Sequence, residues 1–575
     1  MIKKTSGYAA GLTAVQAILI YVWLTDLSPL SGTDTYYSVY LLCGVAALLC
    51  LRDNRRSPAP GKGTAAAAVF SALFALAVVL GNYELYEPAS LQNRLNACMD
   101  ILGGFCVGFQ ILCCMLRRLP LEGNSGGRNH PARVFFGVFG AVTLIDMVYL
   151  LFARYPGILT TDSFSTVAQI LEGSYDNTMP FWHTMLVQVF VKTGLALFGD
   201  INAAVALFHG FQILLLAGCF AYALVTLYQI GVPRLWLAVV FGIYALLPYN
   251  IVYSVTMWKD VPFAASALLM ATAFYRLLKD VGDSRKGSTA VFALGALGFS
   301  LMRTNGWYAL LAVALLLTVS LRKGYRSLLV LLLSVLAVAW VMINPLLSIL
   351  KVPGTNMVEA FAVPMQQVAR VAANERELTD TQRQMLSEIF VMDKLGQLYD
   401  PQTVDPVKFE TFRYDRTDHI HQNAKEYLKL YLELGRQYPA DYLKAWIDET
   451  KGYWNGGYDF WIYTLDLGRN PLGIVHTGGE NRIARLYAAW FRFLEKPAAL
   501  QPLYSIGLHV WILVACCLVN GLKRRREWLI AVPALVLTVG LWLGTPVFAE
   551  FRYAYPMILT APLVLLTTVY APKER

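Results

Sequence analysis

Four short polar clusters in an otherwise apolar chain hold the residues that could do chemistry. The first is Asp162, followed by Ser163 and a helix-like run to Leu171, in the stretch RYPGILTTDSFSTVAQILEGSYDNTMPFWHT (154–184), which also contains His183. The second is TMWKDVPF, with Trp258, Lys259 and Asp260. The third is Arg303-Thr304-Asn305, and the fourth is AEFRYAYP, with Glu550, Arg552 and Tyr553. A carboxylate can take the proton of a hydroxyl. Lys and Arg suit a phosphate, above all one that gains charge as it leaves. Both together, at the depth of lipid headgroups, point to a substrate whose phosphate is held there by a lipid tail.

Each cluster also has a plainer reading. Charges at helix ends commonly mark the membrane interface or snorkel towards it. Asp260, two residues before Pro262, has the form of a helix N-cap, which does not exclude a catalytic role. His183 beside Trp182 fits an interfacial histidine, and His209 and His509, inside apolar runs, fit packing residues. Asp418, His419 and His421 are of metal-binding types without metal-binding spacing. No phosphate-loop, dinucleotide, HExxH or GxSxG pattern stands out. Against four separate accidents stands their placement. All four clusters fall on one side of the membrane in the topology below, where ionisable groups need partners.

Composition sets the class. The chain has 575 residues, 57% hydrophobic and 15% charged, with a mean hydropathy of +0.48. Many runs reach bilayer-spanning length, so an all-α polytopic membrane protein is expected, not a soluble one. The formal charge of +10 resides in short loops between apolar runs. That is the positive-inside pattern and does not point to nucleic acid as a partner. All nine cysteines fall in apolar segments, which predicts neither a disulfide framework nor a thiolate metal site. The start, MIKK and an apolar run, reads as an uncleaved first helix. No cofactor is called for; a divalent cation is compatible with the residue types but not indicated by them.

Apolar runs predict spans near 8–24, 36–51, 64–81, 95–116 and 134–153. The linkers 52–63 and 117–133 are basic; the loops 25–35 and 82–94 carry Asp26, Asp34, Glu84 and Glu87. This places the N-terminus inside and the 154–184 stretch outside. If 181–199 lies along or dips into the outer interface, anchored by Phe181 and Trp182, every later basic loop falls inside: Arg234, 279–286, Arg322-Lys323-Arg326, 523–526, and Lys573 with Arg575. The later spans are 203–228, 235–257, 261–279, 289–302, 307–321, 327–349, 502–520, 527–546 and 557–571. The total is about fourteen spans, both termini cytoplasmic. Four parts follow: an N-terminal four-helix extension (1–133), a membrane core with the first outer loop (134–349), an extracytoplasmic helical domain (350–501) and a three-helix C-terminal segment (502–575). Helical spacing in that domain is clearest at 375–396 and 421–449, beside an aromatic, glycine-rich patch at 453–461.

Several of these pieces occur together in one known order. Asp162 with SFSTVAQIL, the MPFWHT turn (179–184), ALFGD (196–200), WKDVPF with Asp260, MRTNG (302–306) and FRYAYP (551–556) follow one another. This order resembles the GT-C superfamily of integral-membrane glycosyltransferases, closest to protein O-mannosyltransferases and the bacterial transferases that place aminoarabinose on lipid A. The resemblance covers roughly 134–350, with the late Arg-Tyr turn, and looks like a bacterial branch. Three departures stand out: the family's acidic pair is Asp-Ser here, four spans precede the usual core, and a helical insert occupies 350–501.

The resemblance implies an inverting transfer of a sugar from a polyprenyl-phosphate donor to an acceptor outside the bacterial cytoplasmic membrane. Asp162 would be the base. Lys259, Arg303 and Arg552 would hold the departing phosphate, and Asp260 would orient the acceptor or a cation. His183, Ser163, Trp258, Asn305, Tyr553 and Glu550 are expected to contact substrate. Other readings stay open. A lipid-linked glycan transporter or flippase would show internal repeats or helices broken by glycine and proline at mid-membrane. A glycan polymerase or ligase would place its essential residues in the outer domain, at Arg413, Arg416, His419 and His421. A non-catalytic assembly partner would tolerate the loss of one loop carboxylate.

Overall fold

Lipid leaves a backbone no water to bond, so the apolar runs satisfy their own N–H and C=O groups as helices. In the computed structural model, the described residues are 2–32, 37–54, 61–124, 128–282, 284–320, 326–354, 358, 361–458, 462–465, 467, 470–477, 481–495 and 497–572. Asp34, Arg322, Lys323, Lys573, Arg575 and the end of the aromatic patch (459–461) lie outside them.

The first four helices are α1 (Ile2–Asp26), α2 (Tyr37–Asn54), α3 (Gly61–Gly81) and α4 (Leu91–Arg118). They share a core around Trp23, Tyr40 and Phe74. Next come α5 (Pro131–Val148), extended by a π turn over Tyr149–Ala153, α6 (Thr161–Glu172), α7 (Phe181–Phe198) and α8 (Ile201–Gln229). Then follow α9 (Arg234–Leu246), α10 (Pro248–Ser254), α11 (Asp260–Lys279), α12 (Arg285–Leu301), α13 (Thr304–Ser320), α14 (Arg326–Ile343) and α15 (Pro345–Ile349).

The polar region is helical as expected. It contains α16 (Ala362–Ala373), α17 (Asp380–Ile389), α18 (Met392–Leu395), α19 (Asp405–Glu410), α20 (Thr417–Gln422), α21 (Ala424–Gln437) and α22 (Pro439–Thr450). Leu386, Leu395, Val404, Val407 and Leu434 give it a hydrophobic core of its own. An amphipathic α23 (Arg482–Glu495) packs Tyr487 and Phe491 against Tyr149 of the π turn. The chain ends with α24 (Ile506–Leu522), α25 (Val532–Gly544) and α26 (Phe551–Val569).

Among the described residues, seven helices are long and apolar enough to cross a membrane, eight if the bent pair α9–α10 is one span, and four shorter apolar helices accompany them. Three expected helices are broken. The 235–257 run bends by 48° between α9 and α10, where Pro248 cannot continue the hydrogen-bond ladder. Pro439 divides 421–449 in the same way. The 375–396 run separates into α17 and α18 at Phe390, whose backbone is extended.

α8, α11 and α26 run from one end of the bundle to the other, and the basic loops meet at their C-terminal ends. There Leu121–Glu122 pairs in parallel with Tyr570–Ala571. Arg128 donates to the carbonyls of Tyr228 and Val232, each at 2.6 Å, and Lys279 lies 2.9 Å from Glu527. The polar helical region meets the loop before α26 at the opposite end: Val404 N–H donates to Pro546 O at 3.1 Å and Phe548 N–H to Gln402 O at 2.8 Å.

α7 has the length and apolarity of a span, but it keeps to that end. His183 lies edge-on to Phe208, Phe190 stacks on Phe211 at 4.4 Å, and a methyl on Gly194 would meet Ala204 Cα at 2.4 Å. These contacts fall within 204–211, the first third of α8. The helix stops at Gly199, in the left-handed conformation a glycine accepts readily (φ +63°).

Candidate active site

The site is assembled by a clip between two short segments. Ile158 N–H donates to Val255 O at 2.7 Å, and Met257 N–H donates back to Ile158 O at 3.0 Å. The Ser163 hydroxyl donates to Met257 O at 2.8 Å, and Trp258 Nε1 donates to Thr160 Oγ1 at 2.8 Å. The clip puts Asp162, in the first turn of α6, beside Lys259 and Asp260 at the start of α11.

Two α8 side chains brace it. Gln212 Nε2 donates to the carbonyls of Tyr253, Ser254 and Thr256 at 2.8–3.1 Å, and His209 Nδ1 donates to Pro156 O at 2.8 Å. Gly157 has φ +124°, and a Cβ there would fall 2.1 Å from the His209 ring, so only glycine fits.

All four polar clusters of the sequence converge here. Asp162 Oδ2 lies 3.1 Å from Arg552 Nη1 and 3.6 Å from Lys259 Nζ. Arg303 Nη1 meets Asp260 Oδ1 at 2.5 Å, and Arg552 Nε lies 3.2 Å from Glu550 Oε1. Tyr553 presents its ring to both guanidiniums, with Arg303 at 4.6 Å and Arg552 at 5.1 Å from the centroid. Trp258 is a second face for Arg552, also at 5.1 Å. Three carboxyls and three cations therefore share one cluster.

The carboxyls differ in access and in charge. The Asp162 side chain is 32% exposed, against 1% for Asp260 and 10% for Glu550. Asp162 is therefore the most accessible of the three. Burial works against its ionised form, but Lys259 and Arg552 more than offset this and hold its carboxyl below the usual range. Glu550 is pushed up to about 7 by burial, with Arg552 opposing and the Asp260 and Asp162 carboxylates adding to the rise. Arg552 thus lies between an Asp162 carboxyl held below the usual range and a Glu550 carboxyl pushed up to about 7.

Other expected contacts lie elsewhere. Ser163 is buried, and its hydroxyl is engaged by Met257 O and by the N–H of Thr160 at 3.1 Å, which ties α6 to the segment before α11. His183 is buried against Phe208, and its Nε2 has no hydrogen-bond partner among the described residues. The turn before it reaches the cluster through Met179, whose sulfur lies 3.6 Å from Lys259 Nζ. Asn305 stands exposed at the start of α13. Asp260 is the first residue of α11, not its cap, and it is bound to Arg303.

Sequence reasoning missed Gly157, Gln212, the bracing role of His209, and Tyr453. The Tyr453 hydroxyl accepts from the Glu550 N–H at 3.0 Å and donates to Val547 O at 3.1 Å. One signal was present: His209 and Gln212 are polar and three apart, on one face of an apolar helix.

In the polar helical region, His419 pairs with Glu388 at 2.8 Å, while Arg413, Arg416 and His421 are exposed. Among the described residues, no group of three or more His, Cys, Asp or Glu side chains is placed to hold a metal ion.

A family model described as "Family of unknown function (DUF6020)" matches residues 174–575. The match takes in Lys259, Asp260, Arg303, Glu550 and Arg552; Asp162 precedes it. No curated protein and no solved structure matches the chain.

Proposed function

We propose, for a chain that belongs to DUF6020, a family of unknown function, that the protein is an inverting glycosyltransferase of GT-C type. It moves a sugar from a polyprenyl-phosphate donor to a hydroxyl acceptor on the outer face of a bacterial cytoplasmic membrane. In this reading the chain crosses the membrane about fourteen times, with both termini and the basic loops inside. The observation that carries the proposal is the placement of Asp162. It is the most exposed carboxylate of the cluster, and it lies between Lys259 and Arg552.

The acceptor oxygen attacks the anomeric carbon as its proton passes to Asp162. The bond from that carbon to the phosphate oxygen breaks, and the polyprenyl phosphate leaves with the electron pair. Lys259, Arg303 and Arg552 face the charge that develops on it. The carboxylates hold these cations in place beforehand and release part of their charge to the phosphate. The Tyr553 and Trp258 rings keep the two guanidiniums oriented.

The test is transfer in membranes from radiolabelled polyprenyl-phosphate sugars, with wild type beside Asp162→Asn. Loss of turnover by about 10²–10⁴-fold at unchanged protein level supports the base assignment. Transfer that survives the substitution moves the base to Asp260 or Glu550.

A second reading, a lipid-linked glycan transporter, draws support from the break between α9 and α10 and from Pro556 and Pro562 inside α26. Bound lipid-linked glycan without transfer from any donor would favour it.

A further inference from the structure

A second polar cleft lies where the loop after α3 meets α16 and α22. Its volume is about 390 Å³, and it shares no residue with the cluster around Asp162. Tyr83 and Glu84 of the N-terminal extension form one side, and Arg370 and Tyr399 of the outer domain the other. Asp448 joins the two sides. It accepts from Arg370 Nη1 at 2.7 Å, from the Tyr83 hydroxyl at 3.1 Å and from Lys451 Nζ at 3.3 Å. Lys451 also reaches Glu84 at 2.7 Å, and Arg370 donates to the Tyr399 hydroxyl at 3.0 Å. The side chains of Asp448 and Lys451 are only 5% and 7% exposed. A charge network this buried is a built feature of the fold.

We propose that this cleft binds a short, uncharged, hydroxyl-rich glycan segment. A sugar hydroxyl donates and accepts at once, so it suits a wall where carboxylates and cations alternate. Tyr83 and Tyr399 add aromatic surface for the C–H face of a ring. The charge balance argues against a phosphate: Glu84, Asp400 and Asp448 line the cleft against Arg370 and Lys451. Its size is at the lower end of ligand clefts, roughly 300–1,000 Å³.

The cleft is also tied to the loop that holds the catalytic cluster. Gln402, on its rim, accepts through its backbone from Phe548, and Lys451 is two residues from Tyr453, which anchors Glu550. A glycan here occupies the outer end of the path an acceptor chain would follow. That last step rests on the transferase reading; the binding itself does not. The N-terminal extension thereby gains a role, since it supplies one wall.

The experiment uses the full-length protein in lipid nanodiscs and saturation-transfer NMR. The probes are maltotriose, cellotriose, chitotriose and mannotriose, with glucose 6-phosphate as the anionic control. The expected result is saturation transfer to at least one neutral trisaccharide, equal in wild type and Asp162→Asn. Glu84→Gln and Tyr399→Ala weaken that binding by about tenfold each. Glu84 is exposed, so its variant folds, as an unchanged thermal unfolding profile would verify. The proposal is overturned if no trisaccharide gives a signal, or if both cleft variants bind as wild type does. It is equally overturned if Asp162→Asn abolishes binding, or if glucose 6-phosphate binds in preference. Absence of transferase activity alongside intact trisaccharide binding would sink the transferase reading and leave the cleft standing.

Discussion

Arg552 Nη1 lies 3.1 Å from Asp162 Oδ2 although 390 positions of chain separate them. The contact closes the bundle: α26, the last helix, is joined to the first turn of α6, and Lys259, just before α11, approaches the same oxygen. Asp162 thus holds two cations, and those cations keep its carboxyl below the usual range.

Removing one cation should therefore shift the base. In Arg552→Gln, Asp162 loses one of the charges that hold its pKa low. The pKa rises, and the acid limb of the transfer rate moves to higher pH. A rate–pH profile of wild type and variant checks this; an unmoved acid limb would show that Asp162 is not the titrating base. The sign for stability agrees. A carboxyl with a depressed folded pKa stabilises above its unfolded value, and that contribution fades as the pH falls.

Asp260 and Arg303 form the most enclosed ion pair of the cluster, with side chains 1% and 19% exposed. Asp260→Asn strands a guanidinium, and Arg303→Gln strands a carboxylate. Each single variant should lose about 3–5 kcal/mol of stability, and the double variant clearly less than the sum. Thermal unfolding in detergent across the four proteins measures the coupling. Additive losses would show that the two groups act separately.

Glu550 titrates near 7, so donor binding should depend on pH. Below that value its carboxyl is neutral, and the cations outnumber the ionised carboxylates. Above it the charges balance, and attraction for a phosphate weakens. KM for the lipid-phosphate donor is expected to rise as pH passes 7 upward, and Glu550→Gln should remove that rise. The same raised pKa means that stability falls between the ordinary carboxyl range and about 7, because unfolding then releases a proton.

Tyr453→Phe deletes the hydroxyl that receives the Glu550 N–H and donates to Val547 O. Buried groups left unsatisfied cost about 1–3 kcal/mol. Beyond this loss, kcat should drop more than KM changes, because Glu550 and Arg552 lose their fixed loop. Wild-type kcat in a destabilised Tyr453→Phe would show that the loop is held by other contacts.

Hydropathy was legible in large part: among the described residues each run read as a span is helical over most of its length, and seven helices, or eight with the bent pair, are long and apolar enough to cross a membrane. The errors were breaks. Pro248 and Pro439 stood in plain view, yet a proline ends one helix and is accommodated in another, as Pro556 and Pro562 are inside α26. What separates the cases is whether neighbouring elements compensate for the lost hydrogen bond. The site was legible as residue types. Asp162, Lys259, Asp260, Arg303, Glu550 and Arg552 stood out because charge at the edge of an apolar run needs a partner. Ser163 could be read either way, because a serine beside an aspartate fits a ligand contact or a scaffold; its bond to Met257 O is the scaffold contact. Gly157 and Tyr453 gave no sign, since their demands come from His209 and from the Glu550 backbone.

The sequence by itself determined that this is a helical, membrane-type protein with six ionisable groups at the ends of its apolar runs. Those properties are local: hydropathy and charge are written residue by residue. Only the tertiary structure decided that the six groups meet, that Asp162 pairs with Arg552 and Arg303 with Asp260, and that Asp162 is the accessible carboxyl. Pairing and access depend on how distant helices pack, and packing is a property of the whole chain.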